Sequence, residues 1–400
     1  MRILLVAMPN SIHTMRWVSQ FEGRDCEIIL FPSTTAPLHS QGQGIFSTYS
    51  PVLLRKPPKR GFVKMFPFSR NGSGALMQGI YDRFAKQGWR QKWLLRTIKA
   101  LKPDIIHSLE FQSGAYLCLD VQRVLKDQFP VWIATNWGSD IQLFSQLKAH
   151  RDKISTILQT ADYYSAECRR DYCLAKELEM TASPLPVIPN AGGFDLEKVR
   201  QKRQKNPIVG RNIFLVKGHQ GLFGRALDAL KMIEAAAPRL PKGIKVVVYS
   251  ASPEIVIAGE LVQNRTGIEF EFMPIHKPVS HDTITDLFSR ARAYLGVSIS
   301  DGISTSMLEA MAYGAVPIQT CTACANEWIE DGISGFIARP DDVEGTAVSI
   351  VRAMTDDHLA QEAFKLNWET LCQRASDGYV RKVANSFYDT AYVRRMAQDE

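Results

Sequence analysis

Residues 300–320, SDGISTSMLEAMAYGAVPIQT, decide how this chain folds. The run before them, Ala293-Tyr294-Leu295-Gly296-Val297-Ser298-Ile299, is continuously apolar, as a strand buried on both faces should be. Asp301 and Gly302 make a turn, and Ser304, Thr305 and Ser306 are good first-turn residues for a helix. The helix carries Glu309 and ends at Gly314, before a second apolar run, 315–319. The first N–H groups of a helix attract phosphate, and small side chains let a ligand reach them. Asp301 and Glu309 only accept hydrogen bonds when ionised, so they suit sugar or ribose hydroxyls beside the phosphates. Ser306 and Glu309 also fit a capping box, in which Glu309 would merely satisfy a backbone N–H.

The segment resembles the signature of retaining glycosyltransferases of family 4, which have the GT-B fold. That signature is an acidic residue, seven residues, then Glu followed by Ala-Met-Ala-x-Gly; Asp301 and the run from Glu309 to Gly314 match it. The resemblance implies that Asp301 lies against the sugar of a nucleotide-sugar donor. It implies that Gly302, Ile303, Ser304, Thr305 and Ser306 bring backbone N–H groups to the diphosphate, and that Glu309 holds the ribose. The family usually has Glu where this chain has Asp301, one methylene shorter.

The chain has 400 residues, enough for two domains, with 45% apolar and 22% charged residues, as in a soluble globular protein. It has no run of about 18 apolar residues, the length a spanning helix needs. The stretch from Met1 to Met8 reads as a first strand and not a signal peptide. With seven cysteines, an odd number, this points to reduced thiols and a cytoplasmic protein. Cys321-x-x-Cys324 has no second CxxC and is expected to be two unpaired thiols. The net charge of +7 is concentrated: residues 51–103 hold thirteen Lys/Arg and one acid, Asp82, so the rest of the chain is slightly acidic. The block also carries Phe62, Phe66, Phe68, Tyr81, Phe84, Trp89 and Trp93. It fits an anionic membrane surface on the inner face, or a solvated helix face over 77–101 with core aromatics. Nucleic acid is not the expected partner.

Short apolar runs alternate with helix-like stretches, so the fold class is α/β with parallel sheets and right-handed crossovers. Strands are expected at 2–8, 26–31, 104–108, 131–135, 162–165 and 186–189, and again at 212–217, 244–250, 268–273, 293–299, 315–319 and 335–338. A charged linker near 195–210 separates the two sets. The expected architecture is GT-B, two Rossmann-like domains whose sheets face across a cleft. Residues 1–195 would form the acceptor domain, joined by a helical tail, 379–400, that crosses back. Residues 206–378 would form the domain for the nucleotide sugar.

Several supporting residues follow. Gly218, Gly221 and Gly224 lie between a strand and a helix, where backbone can approach an anion. Lys217 and Arg225 flank them and could stabilise a diphosphate leaving group; the family's usual order is Arg before Lys. In Pro9-Asn10-Ser11-Ile12-His13-Thr14, His13 could bind acceptor or cap a helix. The segment lacks glycine, which argues against a nicotinamide-dependent dehydrogenase. In Ala134-Thr135-Asn136-Trp137-Gly138-Ser139-Asp140, the family often has His where Trp137 stands. Trp137 offers a stacking face, and Asn136 and Asp140 could bind acceptor hydroxyls; the alternative is a buried Trp with Asp140 as a helix cap. Pro189 to Asp195 resembles the family's hinge, and Glu327 falls where relatives carry a Glu near the sugar donor.

The resemblance implies a hexosyltransferase-type glycosyltransferase that moves a sugar, with retention, from a UDP-linked donor to a glycan or lipid-linked glycan. It implies Asp301, Lys217 and Arg225 as catalytic residues and no metal or other cofactor. The role would be polysaccharide biosynthesis, in the cytoplasm or peripheral on the inner membrane face. The rivals are a GT-B sugar-nucleotide epimerase or hydrolase, and a glycosyltransferase-like binding protein without catalysis.

Overall fold

The apolar runs assemble as parallel sheets. In the computed structural model, which describes residues 1–50, 56–64 and 88–397, the chain divides into two units. One comprises Met1–Gly192 with Val380–Glu400, the other Gly193–Tyr379.

The first unit contains β1 (Arg2–Ala7), β2 (Glu27–Pro32), β3 (Ser47–Tyr49), β4 (Arg60–Val63), β5 (Ile105–Leu109), β6 (Val131–Thr135), β7 (Tyr163–Ser165) and β8 (Ser183–Pro184). They form one parallel sheet in the order β3-β4-β2-β1-β5-β6-β7-β8, which reverses direction between β1 and β5. Strands β1, β5 and β6 are almost wholly buried, because helices cover both faces, and this is why their sequences do not alternate. The strand expected at 186–189 does not form. Pro184, Pro186 and Pro189 cannot donate to a ladder, so pairing is confined to Ser183–Pro184 beside β7. Strands β3 and β4 carry no expectation from sequence; they are three and four residues long and sit beside or within the basic block. Of the helix expected over 77–101, Trp89–Leu101 lies within the described residues. Its buried positions are Leu94, Thr97, Ile98 and Leu101, and Trp89 and Trp93 pack against the same core. These two aromatics therefore serve the core side of the helix. Phe66, Phe68, Tyr81 and Phe84 lie outside the described residues.

The final helix, Asp377–Ala397, lays Val380, Ala384, Phe387, Tyr388 and Ala391 into the first unit's core beside Ile3, Leu5, Trp17 and Phe21. A chain of hydrogen bonds fastens it. The Trp17 indole N–H donates to the Tyr388 hydroxyl at 2.7 Å. That hydroxyl meets His107 Nδ1 at 2.7 Å, and His107 Nε2 meets Thr135 Oγ1 at 2.7 Å. An indole nitrogen can only donate, so Tyr388 must donate onward and His107 must carry its proton on Nε2. Burial pushes the pKa of His107 down to about 3, so the ring is neutral.

The second unit contains β9 (Ile213–Lys217), β10 (Lys245–Ala251), β11 (Glu269–Pro274), β12 (Ala291–Gly296), β13 (Val316–Thr320) and β14 (Phe336–Ala338). Their order, β11-β10-β9-β12-β13-β14, is that of a doubly wound dinucleotide-binding sheet, with the reversal between β9 and β12. The stretch expected to be a linker contains a helix, Leu196–Lys205, capped by Asp195, whose carboxylate accepts the Lys198 N–H at 3.2 Å. Its Lys, Arg, Gln and Glu residues are good helix formers despite their polarity.

Candidate functional site

In open parallel sheets, ligands bind where the strand order reverses, outside the C-terminal ends of the strands. In the second unit that point lies beyond Lys217 and Gly296, the last residues of β9 and β12. The two loops leaving there are tied together. The Arg225 N–H donates to the Val297 carbonyl at 2.9 Å, and the Ile299 N–H donates to Phe223 at 3.0 Å. Thr320, at the end of β13, donates its hydroxyl to the Ser298 carbonyl at 3.0 Å, and the Asp301 N–H donates to the Thr322 carbonyl at 3.2 Å.

From this platform rises the helix Thr305–Tyr313. Ser304 is its cap and accepts the Met307 N–H at 3.3 Å. The backbone N–H groups of Ile303, Ser304, Thr305 and Ser306 find no acceptor among the described residues. Four consecutive donors thus stand at the positive end of a helix dipole. The capping box of Ser306 and Glu309 does not form, since the cap lies two residues earlier. Glu309 is instead the fifth helical residue, and its Oε1 lies 2.8 Å from Nε2 of His281. His281 was not singled out from sequence, because nothing in its spacing from Glu309 announces the contact. Beneath the helix start, Tyr249 and Tyr294 are buried with their hydroxyls close to that of Ser306, and burial pushes both phenols up.

The other candidates share this edge of the sheet. Asp301 is half-buried, and its Oδ1 accepts the Gly302 N–H at 2.9 Å. Lys217 is half-buried at the tip of β9, and its charge, after burial, helps push the neighbouring His219 ring down. The Gly218 N–H donates to Tyr249 O at 2.8 Å, and a Cβ there would fall 2.7 Å from the Ala251 Cα. Gly218 therefore gives close packing between strand ends, with its amide already committed. Arg225 turns its guanidinium onto the Gly221 and Gly224 carbonyls, at 2.5 and 3.2 Å, and braces its own loop. Cys321 and Cys324 follow β13 as free thiols, one exposed and one buried.

The first unit's reversal, between β1 and β5, gathers a second set. His13 begins helix Ile12–Ser19 as its second residue, and its ring meets Trp137 edge-on with centroids 5.6 Å apart. Both rings are half-buried. Asn136 is fully buried; its amide donates to Asp171 at 2.7 Å and accepts from the Tyr164 hydroxyl at 2.6 Å. Asp140 accepts the N–H groups of Phe111 and Trp137 at 2.8 and 2.7 Å. Asn136 and Asp140 thus act as internal struts, while His13 and Trp137 form the partly open pair. Sequence reading passed over Glu110, directly after β5. Glu110 has a left-handed φ of 67°, rare for such a residue, and caps the wide turn Phe111–Ala115 by accepting the Ser113 N–H at 2.9 Å. Burial raises its pKa, and burial and then the Glu110 charge raise that of Asp140.

Residues 217–356 match the family model of glycosyl transferases group 1. The match begins at Lys217 and takes in both loops of the second unit's site. No curated protein matches the sequence. Among solved structures, HepE of Anabaena in complex with UDP and glucose is 13% identical, with a TM-score of 0.67 and 98% of this chain and 100% of that chain covered. Sucrose-phosphate synthase from Thermosynechococcus elongatus is 15% identical, also with a TM-score of 0.67, covering 98% and 99%. A glycosyltransferase from Rickettsia africae is 14% identical with a TM-score of 0.65, covering 98% of each. At such identities the likeness establishes the fold: this is a GT-B protein, built of two parallel-sheet α/β units. Among the described residues no helix is long and apolar enough to cross a membrane.

Proposed function

We propose that the chain is a retaining glycosyltransferase that transfers a sugar from a UDP-linked donor to a glycan or lipid-linked glycan. The observation that carries this reading is the row of four unpartnered N–H groups at Ile303, Ser304, Thr305 and Ser306, set at the strand reversal with a carboxylate on either side. Such a row binds a diphosphate without metal and stabilises it as charge develops during departure. Lys217, and Arg225 after a turn away from its loop carbonyls, would add positive charge. Asp301 would position the sugar, and Glu309 the ribose. A leaving phosphate oxygen could take the acceptor proton, so the mechanism asks for no histidine base. The match over 217–356 and the neighbour solved with UDP and glucose support this assignment.

The acceptor is assigned to the first unit, where Trp137 gives a flat face for a sugar ring and His13 a polar edge. Asn136 and Asp140 would hold that loop in shape. The basic block at 51–103 is the basis for placing the protein at the inner, anionic face of a membrane.

The test is thermal unfolding with a panel of nucleotide sugars, followed by product analysis with and without acceptor. A ligand that binds only the folded state raises the unfolding temperature. Stabilisation by a UDP-sugar, with UDP released only when acceptor is present, is the expected result. Release or epimerisation without acceptor would favour the epimerase or hydrolase, and stabilisation without turnover would favour a binding protein.

A further inference from the structure

We infer that His281 is a positioning residue for the sugar-donor site, holding the Glu309 carboxylate in the orientation that receives ribose hydroxyls. The inference rests on the function proposed above.

The two residues come from different helices that pack side by side. Ser280 caps helix His281–Arg290 by accepting the Thr283 N–H at 3.1 Å, which sets His281 as the first helical residue. Helix Thr305–Tyr313 brings Glu309 against it, with Nε2 and Oε1 at 2.8 Å. The exposures are unequal: 8% for the Glu309 side chain and 58% for that of His281. The carboxylate is thus inside the site and the imidazole forms its outer wall. Glu309 also lies near the phenols of Tyr249, Tyr294 and Tyr313, each of which its charge pushes up after burial and hydroxyl contacts have acted.

A buried carboxylate needs polar partners, and a ring N–H supplies one directed bond. A carboxylate has about four acceptor positions; the His281 bond takes one of them, and ribose hydroxyls would bond at others. The Glu side chain has three rotatable bonds. Fixing them before the nucleotide arrives removes an ordering cost from binding. A purely structural His–Glu contact at the protein surface would do none of this selectively. Positioning predicts an effect confined to ligands that carry the hydroxyls.

The experiment is calorimetric titration of the full chain with UDP, ADP and GDP, and with the 2′-deoxy form of whichever binds. It compares wild type with His281→Ala, His281→Gln, Glu309→Ala and the double variant. Wild type should prefer the ribonucleotide by about tenfold or more, since a site built around a hydroxyl rejects the analogue lacking it. His281→Ala should weaken the ribonucleotide about tenfold and the deoxynucleotide little. His281→Gln, which keeps a donor near the Nε2 position, should restore the preference. His281→Ala should change nothing further in the Glu309→Ala background. Unfolding temperatures without ligand show that each variant is folded. If His281→Ala keeps the wild-type preference, the inference is overturned and the sugar-donor site stands. If wild type binds both sugars equally, Glu309 does not read the ribose and the inference falls, again leaving a nucleotide site. If no nucleotide binds, the proposed function falls and takes this inference with it.

Discussion

Arg203 donates to the carbonyl oxygen of Met311 at 2.9 Å, at the far end of the helix whose N-terminus carries the row of unpartnered N–H groups. It also reaches the Ala312 carbonyl at 2.7 Å, while its guanidinium lies 3.8 Å over the Phe364 ring. The last carbonyls of a helix lack internal partners, and a cation there complements the dipole. Arg203 therefore anchors the same element that the site uses from its opposite end. Arg203→Met should remove this anchor and strand buried carbonyls, at a cost of about 2–4 kcal/mol in denaturant unfolding. An unchanged midpoint would show that the helix is held by packing alone.

Asp301→Ala and Glu309→Ala should separate into two phenotypes. Loss of Asp301 should lower turnover by about a hundredfold or more, with nucleotide affinity nearly intact, since its proposed role is to act on the sugar as charge develops. Loss of Glu309 should weaken nucleotide binding first. Steady-state kinetics combined with UDP titration distinguishes them, and full transfer activity in Asp301→Ala would remove it from the site.

Gly224→Ala probes the loop that carries Arg225. A Cβ at this position would lie 2.3 Å from the His219 carbonyl oxygen, closer than any real contact. The loop must shift, and with it the bonds that Arg225 makes to Val297 and that Phe223 receives from Ile299. Nucleotide affinity should drop by about tenfold or more, and because the clash is with backbone the unfolding free energy should fall by about 1–3 kcal/mol. A large loss of stability with affinity preserved would place the loop in the core and not in the site.

His107 makes stability depend on acid. Its folded pKa, about 3, is far below the usual value, so the unfolded chain takes up a proton that the folded chain refuses. Its contribution is full above about pH 6.5 and is lost progressively as pH falls towards 3. Glu110 and Asp140 act oppositely: burial raises them, so protonation at lower pH relieves the strain of keeping them charged. Unfolding free energy should therefore fall less steeply between pH 6.5 and 4 in His107→Gln than in wild type. Parallel profiles would mean that the ring titrates normally.

Tyr388→Phe breaks the relay in which Trp17 Nε1 and His107 Nδ1 both face one hydroxyl. Two buried polar atoms lose their partner, and the expected cost is about 2–4 kcal/mol, read from denaturant unfolding. A change below about 0.5 kcal/mol would mean that other groups satisfy both nitrogens.

The fold was legible where burial is two-sided. Strands such as β1 and β12 are unbroken apolar runs, and the reversal at β12 coincides with the one segment whose small and acidic residues suggest phosphate and sugar. Strands β3 and β4 were not legible, since strands of three and four residues around basic side chains have no period to detect. The polar helix Leu196–Lys205 reads as a linker because its only fully buried residues are Val199 and Arg203. At the site, Glu309 was legible as a chemical group but its partner was not. His281 and Glu309 are 28 residues apart on separate helices, and only their packing brings them together. Asn136 and Asp140 illustrate the converse, because residue type alone does not tell a ligand-facing amide or carboxylate from one spent on internal bonds.

The helix Asp377–Ala397 also bears on how the protein is made. The first unit draws its core from both Met1–Gly192 and Val380–Glu400, whereas the second is one uninterrupted stretch. During synthesis the second unit can therefore finish folding while the first still waits for its last helix. Until that helix emerges, Trp17 and His107 lack their shared hydroxyl and the surface for Phe387 stays open to water. The unit that begins first is completed last, so a chain cut after Tyr379 would keep every residue of the second unit but leave the first without the helix that closes its core, open and prone to aggregate.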